Sequence, residues 1–570
     1  MSASASTITT AGLTPELFPE GVVRASHRAR LAAALVLIVL VGFGFRVFHT
    51  GAEGLSEDEL NKVRAVEDYR AHGLSSANGE HPFLMKALLT TSVVAIDYWN
   101  ATAFAQSHAG LQVSTEAAVR LPGALLGSLT SLLIYITASE LFGAEVGIIA
   151  AALWALDPVA IGFNRIAKED TFLVFFFLLA NVFWLRGQRV AEEGRRRAEP
   201  FYWAAAACFG AMLASKYVPH FIAISAAYYY VFQGVKATRW RLGKRKWLIF
   251  FAVMGAAFLV CNPTILLPGT WHEMRIFAGE NRIGHDGYEF MGQLYRNQMT
   301  LWLRGSPWYF YYVFMGVKLP LAVVIAFVAG LAALFMKRLG DGRYFILFWF
   351  FFWFFPFTVM GGKFTRYFTF VLPAVLITAA IGVHASARLL SHTFSTFKLD
   401  GHNKFYVRAA LALVVLCFSA YASASASPHY RLYTNALGGG MTGAGNFFPH
   451  DEFYDSSMRE TLAVVAGQAV PNARVASETP ELVSYYAHLS GRDDLAPISL
   501  SERAALSRMT EGDVILLARG RRYFSNDALT QKFKSEGHPA AVLALGEVEA
   551  VQIYVLDKQN LELLSSVVKQ

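Results

Sequence analysis

The sequence predicts a polytopic α-helical membrane protein with a small α/β domain at its C-terminal end. Of its 570 residues, 55% are hydrophobic and only 16% are charged, whereas a soluble protein has about 25% charged residues. Long apolar runs recur up to residue 425, and basic residues cluster between them. The net charge of +8 therefore fits cytoplasmic loops better than nucleic-acid binding. The three cysteines stand far apart, which argues against a zinc finger or a disulfide framework.

The first apolar run predicts an uncleaved membrane helix. Residues 1–28 are rich in Ser, Ala and Thr and are expected to form a flexible cytoplasmic segment, and basic residues precede the run at 31–47. No small-residue cleavage site follows the run, as a signal peptide requires. Its basic flank places the N-terminus in the cytoplasm, so the next loop emerges on the outer face.

The first outer loop, predicted at 49–117, begins with an acidic helix start. Ser56 followed three residues later by Glu59 is a capping-box pattern, in which the carboxylate satisfies the helix N-terminus. Asp58 is not needed for that cap, and the positive helix end beside it favours its ionised form. An ionised, oriented aspartate suits a general base, so Asp58 and Glu59 are the catalytic candidates, with capping as the alternative for Glu59. On the same helix, Lys62 is expected to face water.

The run at 83–104 is long enough to span the bilayer, but the loop charges place it on the membrane surface. If it lies flat, the basic loops near 186–197 and 236–246 both fall inside, as the positive-inside rule prefers. The later crossings are then expected at 118–140, 145–162, 171–187, 201–216, 218–234, 247–266, 308–336, 343–360, 366–387 and 407–425. The membrane domain, 29–425, thus has about eleven crossings and a second long outer loop at 267–307.

Basic residues at the outer ends of these crossings are candidates for binding an anionic lipid headgroup. Ionisable groups near bilayer depth are costly and usually functional, although Lys and Arg at helix ends often only snorkel to the headgroups. Several such groups on one face, opposite carboxylates, favour binding. These residues are Arg165, Lys168, Lys216, Lys363 and Arg366.

The sequence of residues 426–570 predicts a small α/β domain. Because the predicted number of crossings is odd, this domain is expected on the outer side of the membrane. Strand-like runs at 474–477, 514–518, 540–545 and 551–556 alternate with helical stretches at 479–489 and 501–509. The domain presents no catalytic constellation, so we expect it to have a structural or acceptor-contacting role.

The ordered set of motifs resembles the membrane-embedded GT-C glycosyltransferases, in the group of protein O-mannosyltransferases and lipid A aminoarabinose transferases. The motifs are Asp58-Glu59, Glu80-His81-Pro82, Arg120-Leu121-Pro122-Gly123, Arg165 with Asp170, Lys216-Tyr217, and Lys363 with Arg366-Tyr367. The resemblance covers residues 30–385 and is carried by the order of the motifs, because each motif alone is weak.

The resemblance implies inverting transfer of a sugar from a polyprenyl-phosphate donor to an acceptor, at the outer face of the cytoplasmic membrane. Asp58 matches the general base of the family. The residues implied to bind the donor are Arg120, Arg165, Lys168, Lys216, Tyr217, Lys363, Arg366 and Tyr367. A divalent metal is an optional cofactor, because Glu80 matches a metal-binding carboxylate of the aminoarabinose enzymes. The further metal candidates are His81, Asp170, His272 and His285.

The chemistry of the donor supports the same function independently. A lipid phosphate is an activated leaving group, so one base and several cations suffice and no phosphate-binding glycine loop is required. Two alternatives stay open, a protein O-mannosyltransferase proper and a non-catalytic transporter or flippase of lipid-linked sugars. Transporters place polar groups near the bilayer midplane, whereas here these groups stand in outer loops, which favours an enzyme. Its expected partners are the bilayer, the lipid-linked donor and an acceptor that is a glycan, a lipid or a protein.

The topology predicts which positions an impermeant thiol reagent reaches in intact cells. In a cysteine-free variant, a cysteine introduced at Ser76 or Ser525 is expected to be labelled, because both positions lie outside. A cysteine at Gly194 is expected to react only after the membrane is permeabilised. Labelling of position 194 in intact cells would overturn the surface placement of 83–104, since the parity of the loops depends on it.

Overall fold

The computed structural model of the chain describes residues 25–193, 197–230, 244–279, 285–393 and 401–568. Most of the predicted N-terminal segment lies outside these ranges, as do position 194 and the end of the predicted crossing at 218–234. Parts of the basic loops near 186–197 and 236–246 also lie outside them.

The membrane part is a bundle of helices that contains the largest buried apolar cluster. Its helices are α1 (Ala25–Val47), α2 (Glu57–His72), α3 (Phe83–Asn100), α4 (Ala103–Ser107), α5 (Thr115–Phe142), α6 (Ala144–Leu156), α7 (Pro158–Asn164), α8 (Glu169–Glu193), α9 (Glu199–Leu213), α10 (Ile222–Tyr228), α11 (Lys244–Cys261), α12 (Pro268–Gly279), α13 (Phe310–Lys318), α14 (Leu321–Leu334), α15 (Gly342–Val359), α16 (Leu372–Thr393) and α17 (Gly401–Ala426). A small hairpin, β1 (Tyr288–Phe290) and β2 (Gln293–Tyr295), interrupts them.

Six of the described helices, α1, α5, α8, α15, α16 and α17, are long and apolar enough to cross a membrane. The pair α6 and α7 passes the same test together but bends by 60°. The helices α9, α13 and α14 have 15, 9 and 14 residues, fewer than the about 20 that a straight span needs. The predicted total of about eleven crossings therefore stays a prediction.

Two predicted crossings are each divided into two helices at a proline. Pro158 is the first residue of α7, and Pro320 is the N-cap of α14. Proline has no N–H to donate and clashes with the preceding turn, so it interrupts a helix even where the apolar pattern continues. Because the apolar runs at 145–162 and 308–336 are uninterrupted, the sequence pattern did not predict these breaks.

The C-terminal domain contains a five-stranded sheet flanked by helices. Its elements are α18 (Pro449–Phe453), α19 (Met458–Gln468), β3 (Arg474–Ser477), α20 (Pro480–Leu489), β4 (Ala496–Ser499), α21 (Arg503–Leu506), β5 (Val514–Ala518), α22 (Asp527–Glu536), β6 (Ala541–Leu545), β7 (Val548–Val555) and α23 (Lys558–Val568). The strand order is β4-β3-β5-β7-β6, with β4, β3 and β5 parallel and the other pairings antiparallel. The sequence analysis missed β4, an edge strand that contains Pro497, a residue that edge strands tolerate.

The C-terminal domain packs directly on the loop between α1 and α5, the predicted first outer loop. One buried apolar cluster contains Leu55 and Leu60 of that loop together with Phe453 and Val475 of the domain. The amide of Leu55 also donates a hydrogen bond of 2.5 Å to the hydroxyl of Tyr486 on α20. The start of α2 is therefore held between the membrane helices and the domain.

Candidate active site

The predicted capping box at the start of α2 is present. The Ser56 hydroxyl accepts a hydrogen bond of 3.2 Å from the amide of Glu59, whose Oε2 accepts one of 3.0 Å from the amide of Ser56. The Glu59 carboxylate also accepts two hydrogen bonds of 2.8 Å from Arg120 and one of 3.0 Å from the amide of Ala167. Both oxygens of Glu59 are thus engaged in joining α2 to α5 and to the turn before α8.

Arg120 and Arg165 are two of the residues predicted to bind the donor. In the structure they instead donate hydrogen bonds to main-chain carbonyls. Arg120 donates hydrogen bonds to main-chain carbonyls between α1 and α2, among them that of Gly54 at 2.7 Å. Arg165 donates to the carbonyls of Phe48 and His49, at 2.5 and 2.8 Å, just after α1 ends. Carbonyls near a helix C-terminus lack intrahelical partners, so a buried cation is a suitable donor there.

Asp58 lies in the first turn of α2, and three groups converge on its carboxylate. Lys168 Nζ is 2.9 Å from Oδ1, and the Tyr454 hydroxyl donates a hydrogen bond of 2.5 Å to Oδ2. Arg366 Nη1 is 3.8 Å from Oδ2. Burial opposes ionisation, but Lys168, Arg366 and the Tyr454 hydroxyl together hold the pKa of Asp58 well below its ordinary value. The carboxylate is therefore ionised. The two cations stabilise its charge in addition to the positive end of α2.

Arg366 is the cation of this group whose N–H groups remain available to a ligand. Its Nη1 lies 3.8 Å from oxygens of both Asp58 and Asp451, which is beyond hydrogen-bonding distance. Its guanidinium lies over the ring of Phe364, with 4.1 Å between guanidinium carbon and ring centroid. Within the described ranges it donates no hydrogen bond, and its side chain is only 10% exposed. A buried guanidinium of this kind is suited to an anionic ligand.

A second ion-pair cluster lies beside Asp58 and is buried. Lys62 Nζ is 3.0 Å from Glu169 Oε1, and both side chains are 1% exposed. His81 Nδ1 lies 3.5 Å from the same oxygen, and Lys168 Nζ lies 3.7 Å from Oε2. The expectation that Lys62 faces water is wrong, because a buried carboxylate at the start of α8 pairs with it. Burial lowers the pKa of His81 well below its ordinary value, so its imidazole is neutral at physiological pH.

The five predicted metal candidates are not brought together. Each has a different neighbour: Glu80 contacts Asn78, His81 contacts Glu169, Asp170 contacts Lys216, and His285 contacts Glu57, while His272 is exposed. In the part of the chain that the structure describes, no group of three His, Cys, Asp or Glu side chains is placed to hold a metal ion. Lysines already pair with the carboxylates of Asp170 and Glu169. These residues therefore do not fit a shared metal site.

A cavity of about 930 Å³ opens around Asp58. Five of the residues predicted for donor binding line it, namely Lys168, Lys216, Tyr217, Arg366 and Tyr367. Lys363, although it stands in the same short loop as Arg366, is fully buried and donates to the main-chain carbonyls of Ser306, at 3.0 Å, and Met360. Burial lowers the pKa of Lys363 to about 8. Its ammonium holds the loop that presents Arg366.

The C-terminal domain supplies site residues that the sequence analysis missed. Tyr454 and Asp455 both have left-handed backbones, with φ of 46° and 59°, a conformation that costs energy outside glycine and clusters at functional sites. It places the Tyr454 hydroxyl on Asp58 and the Asp455 carboxylate 3.1 Å from the amide of Glu57. Arg521 pairs with Asp455 and with Glu57. No sequence motif marks these residues, which stand 396 to 464 positions from their partners on α2.

Comparisons with known proteins address the fold. Residues 101–267 match the family model described as dolichyl-phosphate-mannose-protein mannosyltransferase. No curated protein has a matching sequence. The structure of ArnT from Cupriavidus metallidurans bound to undecaprenyl phosphate is 14% identical over 94% of this chain and 99% of that chain, with a TM-score of 0.48.

Two structures of the oligosaccharyltransferase from Archaeoglobus fulgidus are more similar in shape. AglB in complex with an inhibitory peptide and a dolichol-phosphate is 12% identical over 81% of this chain and 64% of that chain, with a TM-score of 0.50. The apo form is 11% identical over 86% of this chain and 69% of that chain, with a TM-score of 0.51. The chain has the GT-C glycosyltransferase fold. The predicted fold class, a polytopic GT-C protein with a small C-terminal α/β domain, is confirmed, and the mannosyltransferase match supports the predicted enzyme class.

Within this GT-C fold, Glu59 is expected to act on stability. Glu59→Gln leaves Arg120 buried without its carboxylate, which is expected to lower the free energy of unfolding by about 3–5 kcal/mol. The melting temperature of the purified protein in detergent measures the effect. Glu67→Gln removes the same charge from an exposed position of α2 and is expected to change stability by less than about 0.5 kcal/mol. Equal melting temperatures for the two variants would contradict a structural role for Glu59.

Proposed function

We propose that the chain is an integral-membrane glycosyltransferase that moves a sugar from a polyprenyl-phosphate donor to an acceptor hydroxyl, with inversion, at the outer face of the cytoplasmic membrane. One observation carries the proposal: an ionised Asp58 and an Arg366 with unused donors lie 3.8 Å apart at the wall of one cavity. This pairing supplies the two groups the reaction needs, a base for the acceptor and a cation for the departing phosphate.

In the proposed reaction, the acceptor hydroxyl transfers its proton to Asp58 as its oxygen attacks the anomeric carbon of the donor sugar. The bond from that carbon to the phosphate oxygen breaks, and its electron pair leaves with the lipid phosphate. Arg366 and Lys168 neutralise the charge that develops on this phosphate, in a site where burial strengthens the interaction. Attack and departure on opposite faces of the sugar invert its configuration.

The contacts of Asp58 also suggest an order of binding. As long as Lys168 and Arg366 face its carboxylate, Asp58 is a weak base, because its pKa is held low. A donor phosphate competes with Asp58 for the same two cations and so reduces their hold on the carboxylate. Asp58 then gains basicity when the donor is in place, immediately before the acceptor must lose its proton.

Protein O-mannosylation is the second candidate function. The family model that matches residues 101–267 describes enzymes that transfer mannose to proteins. The matched segment contributes Lys168, Lys216 and Tyr217 to the cavity and thus corresponds to the donor side of the site. This supports a similar lipid-linked donor more strongly than it supports a protein acceptor.

The general base has a direct test. Asp58→Asn keeps the shape of the side chain but removes its basicity, so turnover of a lipid-linked sugar donor is expected to fall by about 10²–10⁴-fold. Donor binding and melting temperature are expected to persist, which separates lost chemistry from lost folding. Asp68→Asn, farther along α2, is the matched control and is expected to retain turnover. Near-normal turnover by Asp58→Asn would rule out Asp58 as the base.

The pH profile tests the proposed order of binding. Activity requires ionised Asp58 and is lost as the pH falls through its pKa, so kcat/KM for the donor is expected to keep its plateau to below about pH 3.9. The acid limb of kcat, which reports the donor-bound enzyme, is expected at higher pH because the phosphate has taken the two cations. Lys168→Gln is expected to move the limb of kcat/KM upward. Coincident acid limbs for kcat and kcat/KM in the unaltered enzyme would refute this coupling.

A further inference from the structure

The topology of the C-terminal sheet marks a binding crevice. The chain leaves β3 for β4 on one side, and β5 then pairs with the opposite side of β3. Connections from β3 and β5 therefore run in opposite directions, which makes the space between their carboxyl ends a topological switch point. In open α/β sheets, ligands bind in the crevice outside the carboxyl ends of the strands at such a point.

This crevice opens into the cavity that contains Asp58. The residues that follow the three parallel strands line that cavity: Glu478 after β3, Ser501 after β4 and Arg521 after β5. Ser499 and Ser525 line it as well. We call Glu478, Ser499, Ser501 and Ser525 the carboxyl edge. The edge and Asp58 thus share a cavity large enough for a substrate of several rings.

The carboxyl edge is a connected set of hydroxyls around one carboxylate. Glu478 Oε1 accepts hydrogen bonds from the Ser501 hydroxyl, at 2.7 Å, and from Asn526 Nδ2, at 2.8 Å. The hydroxyls of Ser501 and Ser525 are 2.8 Å apart. Among the described residues, nothing donates to Glu478 Oε2, although the side chain is only 7% exposed. Glu478 lines the cavity, so this oxygen is available to accept a hydrogen bond from a ligand.

The charge around the edge selects the class of ligand. Among the described residues at this wall, Arg521 pairs with Asp455 and Glu57, at 2.7 and 3.0 Å, and Arg64 pairs with Glu481. Glu478 and Glu481 line the same wall, and of these two carboxylates only that of Glu478 has no cation partner among the described residues. An anionic ligand would face the unpaired carboxylate of Glu478, and like charges placed together in an interface weaken binding. A neutral ligand rich in hydroxyl groups can instead donate to Glu478 and exchange hydrogen bonds with the serines.

We propose that the carboxyl edge binds the acceptor, and that the acceptor is a neutral glycan. The inference rests on the proposed function, because the edge gains its role from the base and the donor side of the same cavity. A neutral sugar bound at Glu478 lies in the cavity that also contains Asp58, so one of its hydroxyls can reach the base. The C-terminal domain thereby sets the acceptor class, while the membrane helices hold the lipid-linked donor.

The test measures binding to the full chain in lipid nanodiscs, with three acceptor probes and one donor probe. The acceptor probes are a neutral tetrasaccharide, a uronic-acid tetrasaccharide and a serine-containing peptide, and the donor probe is undecaprenyl phosphate. The neutral tetrasaccharide is expected to bind most tightly, and Glu478→Gln is expected to weaken it at least tenfold, because hydrogen bonds to charged groups are the strong ones. Asp493→Asn, an exposed carboxylate of the same domain, is the control and is expected to leave its affinity unchanged.

Ser525→Trp provides a second variant that does not alter the buried carboxylate, because Ser525 is exposed at the cavity wall. It is expected to block the neutral tetrasaccharide and to leave undecaprenyl phosphate binding intact. Tightest binding of the peptide or of the uronic-acid probe overturns the inference, as does a neutral probe that fails to bind or is insensitive to both variants. Undecaprenyl phosphate binding tests the proposed function on its own and is expected to depend on Arg366. When that dependence holds, a failed acceptor result counts against the inference and not against the proposed function.

Discussion

The buried ion pair between Glu59 and Arg120 is the interaction on which the geometry of the cavity depends. It ties the first turn of α2 to α5, and the amide of Ala167 adds the turn before α8. Asp58 is the neighbour of Glu59, so its carboxylate can face Lys168 only while this junction holds. Burying such a pair costs desolvation energy, and its value here is the orientation that it imposes on a neighbouring group.

The charges of the cavity form an alternating network. Carboxylates of Asp58, Glu169 and Asp170 each face a lysine, and Arg366 lies between two acids. Such a network stays folded without a ligand because each buried charge has a counter-charge. It also gives an anionic ligand a means of changing the site, since any phosphate that enters competes with the carboxylates for shared cations. Electrostatic preorganisation and sensitivity to the ligand come from the same contacts.

Local sequence patterns predicted the long apolar helices, four of the five C-terminal strands and the helix start that carries Asp58. These patterns did not predict functional roles that depend on the direction in which a side chain points. Lys363 and Arg366 stand three residues apart in one basic loop, yet the first holds backbone carbonyls and the second faces the cavity. Tyr454 carried no signal, because its importance comes from a left-handed backbone and a contact across the fold. Composition records charge and hydrophobicity, whereas these distinctions are set by tertiary packing.

The position of Tyr454 and Arg521 in the chain bears on how the protein is made. Both residues are translated after α17, the last apolar helix of the described bundle. The membrane helices are therefore inserted while Asp58 still lacks Tyr454 and Glu57 still lacks Arg521. During synthesis, a nascent chain already in the bilayer therefore has an incomplete cavity around Asp58. The folding of a domain outside the membrane is the step that completes it.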